Sequence, residues 1–267
     1  MFLLLIPAIF SAHQVLVRRG LKRADVLSGN FISITTTFLI FLPYLILKFH
    51  PDPRFLLPMI VAGILNFTLA RICFYESIKR VGANVASSLS ALRIYIAEIL
   101  GAIIGEKITL RLLLASNLIF FGVYAVSNPK DGKDRIGLFL GFLTAIFVVL
   151  SSYFVKLGLR AYDDPILGAS IGFATAFLMA SLAGRKKFVE IPTFVLAGIF
   201  VGVGHLLRYY ALSRYPISVV EPVLSTYPLF TIALSRTMGV ETIDGKTLVG
   251  CLSIVAGIIL CILPQVS

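Results

Sequence analysis

Apolar residues fall along this chain in long unbroken runs, and polar residues gather in short breaks between them. Ten runs stand out: Met1–Val17, Val26–Leu47, Phe55–Ile78, Ala83–Gly105, Leu110–Ser127, Ile136–Leu157, Pro165–Ala183, Pro192–Ser213, Ile217–Gly239 and Lys246–Pro264. The breaks, such as "RRGLKRAD", "KFHPDPR", "NPKDGKDR" and "GRKKFVEIP", carry Lys, Arg, Asp, Pro and Gly. A run of about 20 apolar residues is the length a membrane-spanning helix needs. Strands of a membrane barrel are shorter and alternate apolar with polar positions. Continuous runs therefore predict helices, which pair every backbone polar group internally. The expected fold is an all-α integral membrane protein with ten transmembrane helices. No long polar segment is left for a soluble domain.

Composition agrees. The chain has 267 residues, 58% hydrophobic and 14% charged, against about 25% charged in soluble domains. The first run has no basic residues ahead of it and no small-residue cleavage pattern, so it reads as a permanent helix. The net charge of +11 sits mostly in the breaks, where topology and lipid headgroups account for it. Nucleic acid is not an expected partner; membrane lipid is. Cys73, Cys251 and Cys261 fall inside runs at no metal-ligand spacing, so neither metal nor cofactor is expected. On the far side from the termini the breaks hold thirteen Lys and Arg, against seven on the termini side. The positive-inside rule then places both termini outside.

The chain also says one thing twice. "SALRIYIAEILGAIIGEKI" begins at Ser90 and "STYPLFTIALSRTMGVETI" at Ser225, 225 − 90 = 135 residues later. At that offset 63–126 lies on 198–261 without a gap, matching Tyr75 to Tyr210, Ser90 to Ser225 and Glu106 to Glu241. Upstream, "VRRGLKRAD" resembles "VKLGLRAYD". The expected domains are residues 1–135 and 136–267, each a five-helix repeat. An odd helix count inverts the second copy across the membrane, which is a plan of secondary transporters.

The stretch "LSTYPLFTIALSRTMGVETIDGKTLVGCLSIVAGIIL" resembles the second repeat of the EamA family in the drug/metabolite transporter superfamily. The features that carry the likeness are Pro228 within the helix, Glu241 at its end and glycines in the last helix. The resemblance implies ten helices in two repeats and a metabolite carrier, and it names no cargo. The first copy departs from the pattern at Arg93, which stands where Pro228 stands in the second.

Charges within a bilayer are costly and usually line a cavity or form a pair. Arg71, Arg93, Arg208 and Arg236 fall within the runs, with His13, His205, Glu76, Glu98 and Glu221. Arg93 has about ten helical residues on either side and no carboxylate one turn away. It either lines the central cavity, where its fork suits a carboxylate or phosphate, or pairs across the bundle with Glu98 or Glu76. Arg71 has the same two readings, and Glu98 could also meet Arg208. His205 shares a helical face with Arg208. The expected substrate-binding residues are Arg93, Arg71, Arg208, His205 and Tyr227, with Pro228 opening the helix wall. Tyr95, Tyr209 and Tyr210 are further candidates for aromatic walls. Glu98 and His205 are the groups available for proton coupling. Glu106 and Glu241 read as structural turn residues, with Thr109 and Asp244 capping the helices that follow. Glu221–Pro222 reads as an ordinary first helical turn.

The function expected is a secondary transporter of a small, anionic metabolite in the cell membrane. A lipid carrier or scramblase and a membrane-embedded enzyme are the competing classes. No HExxH, GxSxG or P-loop pattern supports an enzyme or an ATP-driven pump.

Overall fold

The computed structural model describes residues 2–50, 52–127, 134–183, 188–227, 229–230 and 245–262. The described residues are helical and form no strands. In order they are α1 (Leu5–Gly20), α2 (Val26–Lys48), α3 (Pro53–Gly63), a π-helical segment (Ile64–Ala70), α4 (Arg71–Ser90), α5 (Arg93–Ile103), α6 (Leu110–Ser127), α7 (Arg135–Ala161), α8 (Pro165–Leu182), α9 (Ile191–Arg214), α10 (Ile217–Leu224) and α11 (Gly245–Ile262). Pro228, Arg236, Glu241 and Asp244 lie outside the described residues.

Helix starts follow from local chemistry. Asp25, Asp52, Asp134 and Asp164 each accept a backbone N–H in the first turn of α2, α3, α7 and α8, which satisfies donors that a helix start leaves open. Pro53 and Pro165 follow two of these caps at the first helical position. Five segments are long and apolar enough to cross a membrane: Val26–Lys48, Pro53–Val81, Arg135–Ala161, Pro165–Leu182 and Ile191–Arg214. Leu110–Ala125 and Leu248–Cys261 are shorter apolar helices.

Burial is inverted relative to a water-soluble protein. Leu47 and Leu182 are 80% and 81% exposed, while Arg208 is 1% exposed and Glu221 fully enclosed. An apolar exterior around a polar centre is what lipid requires.

Two of the expected spans are not simple rods. The backbone stays helical from Arg71 to Ser90, yet Ser77 and Leu89 meet the same neighbour. A Cβ on Gly141 of α7 would lie about 3 Å from both Ser77 and Leu89. A straight helix would separate those two by about 18 Å, so the chain turns back between them. A second departure comes at Ala91–Leu92 and at Ser225–Thr226, where α-helix gives way to i→i−3 bonds. Leu92, Ile94 and Tyr95 donate to Leu89, Ala91 and Leu92; Thr226 and Leu229 donate to Val223 and Thr226. Short 3₁₀ turns of this kind within a helix often mark hinges. Arg93 is therefore the first residue of α5 and not the middle of one long helix. The periodicity of apolar positions does not register such a break, because the chain stays apolar on both sides of it.

α6 and α11 cross with their backbones almost touching. A Cβ on Gly122 would sit 2.7 Å from the Gly250 carbonyl oxygen, and one on Gly257 the same 2.7 Å from that of Ala115. Ser253 Oγ donates to the Leu118 carbonyl at 2.8 Å. Numbers rise along one helix as they fall along the other, so the pair is antiparallel.

Candidate functional site

A cavity of about 100 Å³ lies among α1, the π-helical segment, α4, α5, α7 and α9. A buried water needs about 10–15 Å³ by this measure, so there is room for several waters or a small solute. Arg71, Arg93, Arg208, His13, His205, Asn66, Ser90, Thr144, Tyr75 and Tyr227 contribute to its wall. The π-helical segment brings Asn66 and Ala70 to the wall and sets Arg71 directly after them. α9 runs as continuous α-helix through the corresponding stretch. π-Helical turns recur at functional sites.

Two of the three arginines are tied to one carboxylate. Arg208 donates from Nε and Nη2 to Glu221 Oε1 at 3.2 and 3.0 Å, and from Nη2 to the Val148 carbonyl at 3.1 Å. Ser152 Oγ also donates to Glu221 Oε1. Arg93 Nε stands 3.6 Å from Glu221 Oε2 and donates to Ser225 Oγ at 2.8 Å. Ser225 in turn donates to the Glu221 carbonyl. The Arg93 guanidinium lies 5.8 Å from the Tyr227 ring centroid, close enough for a cation–π contact. Arg93 Nη2 and Arg208 Nη1 are buried without a hydrogen-bond partner.

Arg71 differs. It is 7% exposed, yet it enters no ion pair among the described residues, and both Nη1 and Nη2 lack hydrogen-bond partners. Its guanidinium lies 5.9 Å from the Tyr75 ring centroid. Tyr75 OH donates to His13 Nε2 at 3.3 Å while His13 Nδ1 donates to the Ala197 carbonyl at 3.0 Å. The carbonyl partner requires the proton on Nδ1, so a neutral His13 accepts at Nε2. His205 is enclosed by the rings of Phe10, Phe67 and Phe173 at 5.0, 4.6 and 5.9 Å.

Several expectations from sequence find their geometry here, and others do not. Arg71, Arg93, Arg208, His205 and Tyr227 all reach one cavity. Glu76 pairs with Arg80 at 3.7 Å and with neither Arg71 nor Arg93. Glu98 is buried on α5, forms no ion pair among the described residues and does not touch the cavity. Tyr209 packs on Phe67, and Tyr95 donates to Asn117 at 3.0 Å, both away from the wall. The residue that sequence reasoning misplaced is Glu221. A Glu–Pro pair near a helix start reads as an ordinary first turn. Here α10 is enclosed on all sides and its second turn faces the arginines. The available signal was the i, i+4 pair Glu221–Ser225, which ends on the Ser that the first copy repeats as Ser90.

Glu106 also does more than shape a turn. Its carboxylate reaches across to the start of α10 and accepts from Ile217 N, Ser218 N and Ser218 Oγ at 2.8, 3.1 and 2.7 Å. Lys156 Nζ pairs with it at 3.0 Å and donates to the Tyr215 carbonyl. Burial pushes this carboxyl upward, but the Ser218 and Ile217 bonds and Lys156 outweigh it and hold Glu106 below the usual carboxylate range. Thr109 caps α6 as expected, accepting from Leu112 N at 3.2 Å.

Known proteins share this architecture. A crystal structure described only as that of a protein covers 98% of this chain and 96% of its own, with a TM-score of 0.81 at 14% identity. An uncharacterized transporter of Archaeoglobus fulgidus is 24% identical over 267 residues, spanning 96% of this chain and 94% of its own. One of Helicobacter pylori is 25% identical over 214 residues, or 73% and 70%. An uncharacterized protein of Methanocaldococcus jannaschii is 30% identical over 132 residues, 46% of this chain but 93% of its own length. The profile of the EamA-like transporter family matches twice, over residues 1–128 and 135–263. The chain is an integral membrane protein with several spanning helices, and it belongs to the EamA-like transporter family.

Proposed function

We propose that the protein is a secondary transporter of small anionic metabolites in the cell membrane, working by alternating access between two inverted five-helix repeats. The observation that carries the cargo class is the central cavity: three buried arginines line it, two of them share the carboxylate of Glu221, and the third, Arg71, pairs with no carboxylate among the described residues. Such charge is costly in a bilayer unless something brings the opposite sign.

Contacts at the fixed offset support the repeat. Gly122 on Gly250 and Gly257 on Ala115 are the same contact moved by 135 residues, and Ser253 bonds Leu118, its own counterpart. A two-fold rotation that relates antiparallel helices must run perpendicular to them. For spanning helices that axis lies in the membrane plane, as inversion requires. Gly63 against Gly172 and Gly198 against Ser33 give a second related pair. The 3₁₀ turns after Ser90 and at Ser225 also correspond. The double profile match and the half-length relative fit a unit that recurs within the chain. Counting the turned-back segment after Val81 as a boundary gives ten spans, with domains 1–135 and 136–267.

Counterflow in proteoliposomes tests the reading. Preloaded anion should drive uptake of the same labelled anion, and Arg71→Ala should abolish it. Lipid redistribution without solute flux would favour a scramblase, and turnover without movement an enzyme.

A further inference from the structure

Resting on the reading of a carrier for small anions, we propose that its cargo carries two negative charges on oxygen, as a dicarboxylate or a phosphate monoester does. Around the cavity stand three guanidiniums, Arg71, Arg93 and Arg208, and one carboxylate, Glu221. Counting both imidazoles as neutral, two positive charges remain uncompensated among the described residues. A monoanion would leave one of them unpaired among buried side chains. A dianion leaves none.

The hydrogen-bonding chemistry points the same way. The unpartnered buried nitrogens around the cavity are Arg71 Nη1 and Nη2, Arg93 Nη2, Arg208 Nη1 and Asn66 Nδ2, all donors, together with His205 Nδ1, whose role depends on its tautomer. The donors match a ligand rich in acceptor oxygens, and guanidinium forks suit carboxylate and phosphate in particular. The one carboxylate an ammonium group could meet among the described residues there, Glu221, is already paired with Arg208 and Arg93. Glu221 Oε1 is already held by Arg208 and Ser152, and its Oε2 faces Arg93. A zwitterionic amino acid is therefore a poor fit. Tyr75 and Tyr227 flank Arg71 and Arg93, which keeps the donor planes oriented when no cargo is bound.

The test is binding to the purified full-length protein at pH 8, by titration calorimetry and thermal shift, with probes matched in skeleton but not in charge. Succinate is compared with succinamate, and ethyl phosphate with diethyl phosphate. The dianion should bind about tenfold or more tightly than its monoanion in at least one pair, as expected for one uncompensated charge in a low-dielectric site. The pair that shows the gap identifies carboxylate or phosphate as the group recognised. Arg71→Gln leaves one uncompensated charge and should shrink the gap to about threefold or less, whereas Arg71→Lys should keep the gap at lower affinity. Equal affinity for monoanion and dianion in the unmodified protein would overturn the proposal while leaving the anion-carrier reading in place. An undiminished gap in Arg71→Gln, or loss of the fold in that variant, would overturn it too. Failure of every anion to bind would remove the proposal together with the reading beneath it.

Discussion

Arg208 and Arg71 line the same cavity, yet their removal should have opposite consequences for stability. Arg208→Met breaks two bonds to Glu221 Oε1 and one to the Val148 carbonyl. Glu221, fully enclosed, keeps only Ser152 and Arg93, the latter 3.6 Å away. Breaking a buried pair from one side costs about 3–5 kcal/mol because the remaining charge is stranded. At roughly 2–4 °C per kcal/mol for a chain of this size class, the melting temperature should fall by roughly 10 °C. Adding Glu221→Gln should restore part of that loss, giving a coupling energy of about 2 kcal/mol or more in a double-mutant cycle. Arg71→Met strands nothing, because no carboxylate among the described residues pairs with Arg71. It removes an uncompensated buried charge and should leave the melting temperature unchanged or raise it by a few degrees, as apolar replacements of buried charge often do. Both variants should lose anion counterflow. The assay is thermal unfolding in detergent of the two single variants and the double. An Arg71→Met protein that melts as early as Arg208→Met would show that Arg71 braces the fold, and the account of the cavity as an open anion site would fail.

Other outcomes follow from the same geometry. Arg93→Ala should cost less than Arg208→Met, since Arg93 faces Glu221 at 3.6 Å and Glu221 keeps its closer bonds; a larger fall in melting temperature would contradict that ranking. Gly122→Leu should destabilise by several kcal/mol, because a Cβ already lies 2.7 Å from the Gly250 backbone oxygen across the α6–α11 crossing; normal melting would mean the crossing is loose. Glu106 titrates below its usual value of 4.5, so its stabilisation is fully present above that pH and is lost as pH falls through the depressed value. Glu106→Gln should flatten that acid limb of the stability curve, and an unchanged curve would assign the acid sensitivity elsewhere. A cytoplasm-dependent reporter fused at the C-terminus should stay dark if the charge asymmetry of the loops sets the orientation.

What was legible in the sequence was whatever the bilayer imposes locally. Run length located spans beginning at Val26, Leu110 and Pro165, because each helix must satisfy its own backbone in lipid. Rare polar residues within those runs marked the cavity for the same reason: Arg71, Arg93, Arg208 and His205 are costly there and have little reason to be elsewhere. What escaped was set by tertiary contact. The break before Arg93 replaces i→i−4 with i→i−3 bonds without changing the apolar pattern, so nothing in the periodicity betrays it. Nor did it need a proline, since the first copy tightens at Ala91–Leu92 with Arg93 where the second carries Pro228.

Glu221 and Glu106 show a further limit, and it bears on mechanism. Each is read locally as an end-of-helix carboxylate, and each is bound by residues fifty or more positions away: Glu221 by Ser152 and Arg93, Glu106 by Lys156 and the first turn of α10. Pairing partners at that separation leave no trace in spacing. Their distribution is nevertheless systematic. Arg93 and Glu106 come from the first half of the chain, whereas Glu221, Ser225, Ser218 and Lys156 come from the second. The polar bonds at the cavity floor and at the start of α10 therefore join the two halves. Motion of one half against the other must break or rearrange these bonds. Among the described residues, the apolar α6–α11 crossing carries the Ser253–Leu118 side-chain bond. A transport cycle built on such motion would pivot at that crossing and spend its strongest electrostatic contacts at the cavity, where an arriving anion can offer Arg93 and Arg208 a replacement for Glu221.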